Sequence, residues 1–474
     1  MQVGNGAADK YGTAARKSRL VQVAWAMHEW ACQPYFTLIV TFLFAPYFAV
    51  HVMGDPAAGQ ASWGYVHAAA GLAVAICAPL LGAMSDAAGP RKPWILASAL
   101  MAAAGCAMLW TATPGSAMAP IVIALVFAAV GIESLYVFAN AMLPDIAADD
   151  RIGAISGMGI AFGQTAGVVA LLLVLVAFAL PGTTDLPLAP ATPLLGLDPA
   201  TFETERIVGP IAALWLLAFL LPLLLFVPDL RANGCRLPVA VKQGARKLMR
   251  TIAHARKEED IALYLTARLT FYSGMNAAFL FGGVLAAGLF AWGLVELTLY
   301  GVLTSLFAAL GALLGGAVDR RLGSRRTLIG ALSLAAVTLC LMLSFDAGRM
   351  LFFWEPQAAG TSSVFATLPE RVFLSCAAIF GALAGAVIAT SRTLMAHLAP
   401  EDSLAEFFGL YASVGQATGF VAPLLVGALT AWSGSQRIGL SIAIPLIAAG
   451  AVMLVFVGDR RTSGEHRPRS AVAS

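Results

Sequence analysis

Long apolar runs, each roughly 20 residues or more, recur along the whole chain and are broken mostly by short polar turns. Held as a helix, a run of that length crosses a hydrocarbon core of about 30 Å. The pattern predicts helices near 21–50, 62–85, 93–113, 118–142, 152–181, 207–228, 261–291, 294–318, 327–345, 372–395, 405–432 and 436–458. The residues before the first run are polar and include Lys10, Arg16, Lys17 and Arg19. That run is too long for a signal-peptide core and lacks a small-residue cleavage site, so it is expected to stay in the mature protein.

Composition removes the alternative of soluble domains. Hydrophobic residues make up 59% of the chain against 12% charged, with a mean hydropathy of +0.81. The formal charge of +3 does not point to nucleic acid, because the basic residues follow topology instead of forming one patch. They gather in the N-terminal tail, at Arg91 and Lys92, at Arg151, in the middle loop, in the turn around Arg320 to Arg326, and in the C-terminal tail. By the positive-inside rule both termini then face the cytoplasm, which requires an even number of crossings. Cysteines 32, 77, 106, 235, 340 and 376 are scattered without metal spacing, so neither a disulfide nor a metal is expected.

The polar stretch 229–260 carries Arg231, Arg236, Lys242, Arg246, Lys247, Arg250, Arg256 and Lys257 and divides the predicted helices six and six. Leu248, Ile252 and Ala255 recur there at helical spacing, which suits either an amphipathic helix on anionic headgroups or a solvated linker. The domain reading is a cytoplasmic tail over 1–20, a six-helix half over 21–228, a basic linker over 229–260, a second half over 261–458 and a cytoplasmic tail over 459–474. The halves repeat each other. Gly82, Asp86, Gly89, Arg91 and Lys92 follow the second run, and Gly315, Asp319, Gly323, Arg325 and Arg326 follow the eighth. Residues 143–167 align with 395–419, matching Gly157 with Gly409, Gly163 with Gly415 and Gln164 with Gln416.

In the Gly82 motif the missing side chain admits a neighbouring helix, Asp86 offers a carboxylate at the end of the run, Gly89 permits a turn, and Arg91 with Lys92 hold that turn in water. With its second copy, this motif resembles the G-x-x-x-D-x-x-G-x-R-[RK] signature of the major facilitator superfamily. The resemblance implies an all-α membrane fold of twelve transmembrane helices in two pseudo-symmetric six-helix halves, with Asp86 and Asp319 steadying one of two access states. A narrower likeness covers nearly the whole chain. Residues 25–35 (WAMHEWACQPY), Gly54-Asp55-Pro56, Asn140-Ala-Met-Leu-Pro144-Asp145, Ser391-Arg392 and Glu406-Phe-Phe-Gly409 resemble the "unknown major facilitator" branch, bacterial relatives of the autophagy-related vacuolar amino-acid effluxer. Where those relatives carry Tyr-x-Asp-Gly, this chain has Tyr272-Ser273-Gly274.

Charges inside the predicted helices are few, and each costs about 2.5–3.5 kcal/mol at a helix centre unless paired or hydrated. His28 and Glu29 share one face of the first helix, Glu133, Tyr136 and Asn140 one face of the fourth, and Arg268, Tyr272 and Asn276 one face of the seventh. With Tyr35 they form the candidate substrate or proton cavity. Glu29 and Arg268 lie at equivalent depths, so a salt bridge between them is one expected gate, with Arg392 either a second gate or a snorkelling anchor. Glu133 reads as a protonatable or substrate-binding carboxylate, or as a buried acid paired for packing. The glycines at 159, 163 and 167 suit sliding helices or plain tight packing.

The resulting reading is a secondary transporter of small solutes, amino acids or related metabolites by the resemblance, working by alternating access, with export and proton coupling open. Its partners are the solute and membrane lipids, with no cofactor, no metal and no nucleic acid. The expected form is a monomer in the inner membrane of a bacterium. A sensor that kept the fold without flux remains open, as does a membrane-embedded enzyme. The enzyme class would need a catalytic cluster that the sequence does not display.

Overall fold

A computed structural model describes residues 19–88, 90–146, 152–181, 190, 192–229, 258–345, 349–355, 364–399 and 404–458. Apart from an isolated bridge between Met350 and Trp354, its regular structure is helical. In hydrocarbon a backbone must satisfy its own hydrogen bonds, and these apolar runs do so as helices. Ten of the described helices are long and apolar enough to cross a membrane.

The long segments are α1 (Arg19–Val52), α2 (Pro56–Ala88), α3 (Lys92–Met108), α4 (Met118–Ala141), α5 (Ile152–Val174), α6 (Val208–Phe226), α7 (Glu259–Phe290), α8 (Leu294–Leu322), α9 (Ser324–Leu343), α10 (Leu368–Leu398), α11 (Leu404–Ser433) and α12 (Gln436–Val455). Between Tyr35 and Phe42, and again from Phe48 to Val52, α1 widens into π-helix, with Pro34 at the first change of winding. Local chemistry fixes the ends. Thr367 and Glu370 form a reciprocal capping box at the start of α10, and Glu296 accepts the Gly293 N–H at the start of α8. Glu296 is therefore a helix cap.

The two halves have one packing plan. In the first, α1 packs on α5 and α6, α4 on α2 and α3, and α3 on α6. The second repeats this six helices later: α7 on α11 and α12, α10 on α8 and α9, and α9 on α12. The halves meet along α2 with α11 and α5 with α8, which exchange places under the same operation. Small residues set the closest seams. A side chain at Gly311 or Gly385 would overlap the backbone of Ala382 or Ala308, so α8 and α10 touch without intervening side chains.

We call the end of the bundle holding Arg19, Lys92, Asp229, Glu259 and Val457 the base. At the far end the halves are sewn together. Gln60 on α2, fully buried, donates Nε2 to Thr430 Oγ1 on α11 and to the Gln436 carbonyl, both at 2.9 Å. Gln436 in turn donates to the Val284 carbonyl on α7 at 3.2 Å. A Cβ on Gly64 would stand 2.6 Å from the Pro423 carbonyl oxygen, and one on Gly71 2.9 Å from that of Gly419. Phe42 of α1 packs edge-on against Tyr300 of α8, closing the same end between the other helices.

Candidate functional site

In the first third of α1 the chain places a carboxylate, Glu29, against two helices, α4 and α5. A Cβ on Gly159 of α5 would come 3.2 Å from Glu29 Cγ, one on Gly163 3.5 Å from Glu29 Cβ, and one on Gly167 2.7 Å from Thr37 Oγ1. The glycine stripe thus serves close packing of α5 on the polar face of α1. From α4, Tyr136 donates its hydroxyl to Glu29 Oε2 at 2.9 Å. His28, fully buried, has Nδ1 2.6 Å from the Trp25 carbonyl, and its Nε2 stands 3.9 Å from Glu29 Oε1. Its ring sits between Trp25 and Tyr136, at 4.7 and 5.5 Å. Glu133 lies within electrostatic reach of Cys32, Tyr35 and Tyr136. The Glu29 side chain is 19% exposed, so water reaches this acidic node.

The second half builds a cationic node. Arg268 of α7 is 5% exposed, donates Nη1 to the Tyr411 carbonyl of α11 at 2.6 Å, and stacks on the Tyr411 ring with Cζ 3.5 Å from its centroid. The Tyr272 ring lies 5.0 Å away, and a Cβ on Gly415 would meet the guanidinium nitrogens at 3.2–3.3 Å. Tyr264 donates its hydroxyl to the Ser391 carbonyl of α10 at 2.5 Å, and Ser391 Oγ stands 3.2 Å from the Tyr411 hydroxyl. Among the described residues no carboxylate lies within salt-bridge distance of Arg268, and its buried Nε has no hydrogen-bond partner.

These nodes are the same place in the repeat. Trp25 precedes Glu29 by four residues, as Tyr264 precedes Arg268. Trp25 donates Nε1 to the Ala139 carbonyl at 2.7 Å, the counterpart of the Tyr264 bond to Ser391. Ala139 and Ser391 in turn precede the matched glycines 163 and 415 by the same 24 residues. At one equivalent position the residue differs sharply: Gly159 leaves Glu29 room, whereas Tyr411 fills that room and covers Arg268.

Toward the base, each half is held by its own motif. Arg91 Nη1 donates to the Ala141 carbonyl at 2.6 Å and to Asp145 Oδ2 at 2.8 Å, tying the α2–α3 turn to the end of α4. Asp229 accepts the backbone N–H groups of Arg91 and Lys92 at 2.8 and 3.1 Å, where the first turn of α3 has no intrahelical acceptors. In the second half, Ser324 Oγ donates to the buried Asp319 at 2.6 Å, and Arg325 donates to the Val457 carbonyl at 2.5 Å. Gly315 sits against Ala386, Gly323 turns the chain with φ +82°, and Arg326 is exposed. Gly82 and Asp86 lie on α2, in a stretch whose side chains are not described. Gly89, Arg151, tail residues 1–18 and 459–474 and linker residues 230–257 with Cys235 lie outside the described residues.

The structure therefore groups His28, Glu29 and Tyr136 with Glu133 and Tyr35 near, and Arg268 with Tyr272. Asn276 is half-buried one turn further along α7, Asn140 is exposed on α4, and Arg392 is exposed on α10. The expected Glu29–Arg268 bridge is not formed here, because Glu29 is held by Tyr136 and Arg268 by Tyr411, each within its own half. Tyr264, Ser391 and Tyr411 were not expected in the site. The four-residue spacings Tyr264–Arg268 and Tyr411–Gly415 were the available signal.

Comparison with known proteins agrees with this architecture. The family model described as vacuole effluxer Atg22 like matches residues 47–466. The uncharacterized MFS-type transporter YxiO of Bacillus subtilis (strain 168) is 21% identical over 443 residues, spanning 93% of this chain and 95% of that protein. Autophagy-related protein 22 of Cryptococcus neoformans var. neoformans is 23% identical over 310 residues, covering 63% of this chain and 50% of the relative. Among solved structures, a D-xylose–proton symporter superposes with a TM-score of 0.65 at 14% identity, over 94% of this chain and 99% of that one. The nucleoside transporter NupG, in a mutant form, gives 0.62 at 13% identity over 92% and 98%. At that identity the structures speak for the fold, and the match of the family model over most of the chain speaks for descent: this is a multi-pass membrane transporter of the major facilitator type, belonging to the Atg22-like effluxer family.

Proposed function

We propose that the chain is a secondary-active carrier of amino acids or closely related metabolites, exporting them across a bacterial inner membrane by alternating access with coupling to protons. The observation that carries the reading is the asymmetry of the inter-half seam. Gln60, Gly64 and Gly71 join the halves from the far end to the middle of α2, while Asn140 and Arg392 stand exposed toward the base. A pathway sealed at one end and wet at the other, with charged nodes between, is what one access state of a carrier requires. The positive-inside distribution assigns the base to the cytoplasm, so this state would take solute from within. The effluxer description of the family supports the direction, and the likeness to the vacuolar amino-acid effluxer supports the substrate class. Glu29 and Glu133, near water and near each other's ring partners, supply carboxylates for the proton.

Counterflow in proteoliposomes tests this. Vesicles preloaded with a mixture of unlabelled amino acids are expected to accumulate at least one labelled amino acid, with net flux driven by an imposed pH gradient. Glu29→Gln and Glu133→Gln are expected to keep counterflow above background and to lose the gradient-driven component. Absence of exchange for every amino acid would overturn the substrate class. Gradient-driven flux that survives both substitutions would overturn the assignment of the proton to these carboxylates.

A further inference from the structure

The two polar nodes occupy the same position of the repeat and carry opposite charge. Glu29 lies ten residues beyond Arg19 on α1 and Arg268 nine beyond Glu259 on α7, both on the order of 15 Å along their helices. Each is flanked one turn earlier by an aromatic donor fixed to a carbonyl of the fourth helix of its half. Each also faces a glycine of the fifth. An inherited scaffold is thus furnished with an acid on one side and a base on the other. Among the described residues neither is neutralised by a fixed opposite charge within its own half: Glu29 has a phenol at 2.9 Å and an imidazole at 3.9 Å, and Arg268 has a carbonyl and two aromatic faces.

That arrangement is incomplete for Arg268. A cation 95% removed from solvent loses much of its hydration, and cation–π contact with Tyr411 and Tyr272 returns only part of it. Its Nε is a buried donor with no acceptor. A guanidinium presents a planar fork whose natural complement is a carboxylate held by two parallel hydrogen bonds. In the first half, the 19% exposed carboxylate of Glu29, oriented by the Tyr136 hydroxyl, complements an ammonium group.

We infer that the inverted pair is a single dipolar binding site, in which Arg268 takes the carboxylate of a zwitterionic solute and Glu29, positioned by Tyr136, takes its ammonium group. The inference rests on the amino-acid reading above and deepens it. It makes zwitterion recognition a bridge between the two halves, so that a solute with both charges draws the halves together and a solute with one charge engages one half only. The opposite polarity of equivalent positions also fixes the orientation: the carboxylate end points to the second half.

The test uses the full-length protein in lipid nanodiscs with a panel of labelled α-amino acids and of ω-amino acids of increasing chain length. The best-bound member is then compared with its decarboxylated amine and its deaminated acid. Wild-type protein is expected to bind the zwitterion at least roughly thirtyfold more tightly than either single-charge analogue, the loss typical of leaving one partner of a buried charge pair unmatched. This comparison requires no variant to fold. Arg268→Gln and Arg268→Lys should lose a similar factor for the zwitterion and the acid, with amine affinity unchanged. Glu29→Gln should lose it for the zwitterion and the amine, with acid affinity unchanged. If any of the three variants weakens both analogues equally, or if the zwitterion binds no better than its analogues, the dipolar site is overturned while the amino-acid reading stands. If no amino acid binds the wild-type protein, both fall together.

Discussion

Gln60→Leu is the sharpest probe of how the far end is held. The substitution keeps the size of a fully buried side chain and removes two 2.9 Å hydrogen bonds, to Thr430 Oγ1 and to the Gln436 carbonyl, both of which cross between the halves. Interhelical hydrogen bonds in membranes contribute about 0.6 kcal/mol on average and up to about 1.7 kcal/mol. Thr430 keeps its own bond to the Val426 carbonyl, whereas the Gln436 carbonyl loses this donor. Together the change is about 1–2 kcal/mol against the closed far end, or roughly a five- to thirtyfold rise in the fraction of molecules open there. Ala61, at the same seam and 5% exposed, is the reporter. In a background with the six native cysteines replaced, the labelling rate of Ala61→Cys by a water-soluble maleimide is expected to rise by that factor when Gln60→Leu is added. An unchanged rate would show that these bonds do not hold the closed state and would refute the reasoning.

Other outcomes follow from the same geometry. Tyr136→Phe removes the donor to Glu29 Oε2, but water reaches that carboxylate, so the cost is about 1 kcal/mol. Equilibrium binding should show about a fivefold loss of affinity for the transported solute; a loss as large as that of Glu29→Gln would contradict the positioning role. Gly385→Leu would drive a side chain into the Ala308 backbone, while Gly316 has nothing within 4 Å of a built Cβ. The former should therefore lower the unfolding midpoint in detergent by several degrees, through overpacking of about 1–3 kcal/mol, and Gly316→Leu should leave it in place. Asp145→Ala removes the partner of a partly exposed Arg91 and should cost about 0.5–1 kcal/mol of stability at low salt and less at high salt, measured by the same melting assay.

The fold was legible because a bilayer allows few solutions. The long apolar runs, the basic linker and the paired Gly–Asp motifs led to two halves of six helices, and the contacts of α1 to α6 recur in α7 to α12. Helix ends were less so: α9 starts at Ser324, before the apolar run, because Ser324 bonds Asp319 across the turn and Arg325 bonds the Val457 carbonyl. The first helix also hides its π-helical widening at Tyr35, since hydropathy does not register winding. In the site, charge marked Glu29 and Arg268, and equivalent depth suggested that they meet. What stabilises each one is tertiary. Tyr136 and Tyr411 come from other helices, and only the folded packing of α4 on α1 and α11 on α7 shows that each charged side chain is held from within its own half in this state. The symmetry of the Trp25 and Tyr264 bonds was likewise invisible, because indole and phenol are unlike side chains performing one task on a carbonyl.

Joining α2 to α11 covalently tests alternating access most directly. Gln60→Cys and Thr430→Cys, introduced together in the cysteine-free background, place two thiols where a 2.9 Å hydrogen bond now joins the halves. A short reducible thiol cross-linker between them should hold the far end shut, abolish counterflow of the transported solute in proteoliposomes, and release full exchange on reduction. Exchange at an undiminished rate through the cross-linked protein would contradict a pathway that must open at that end.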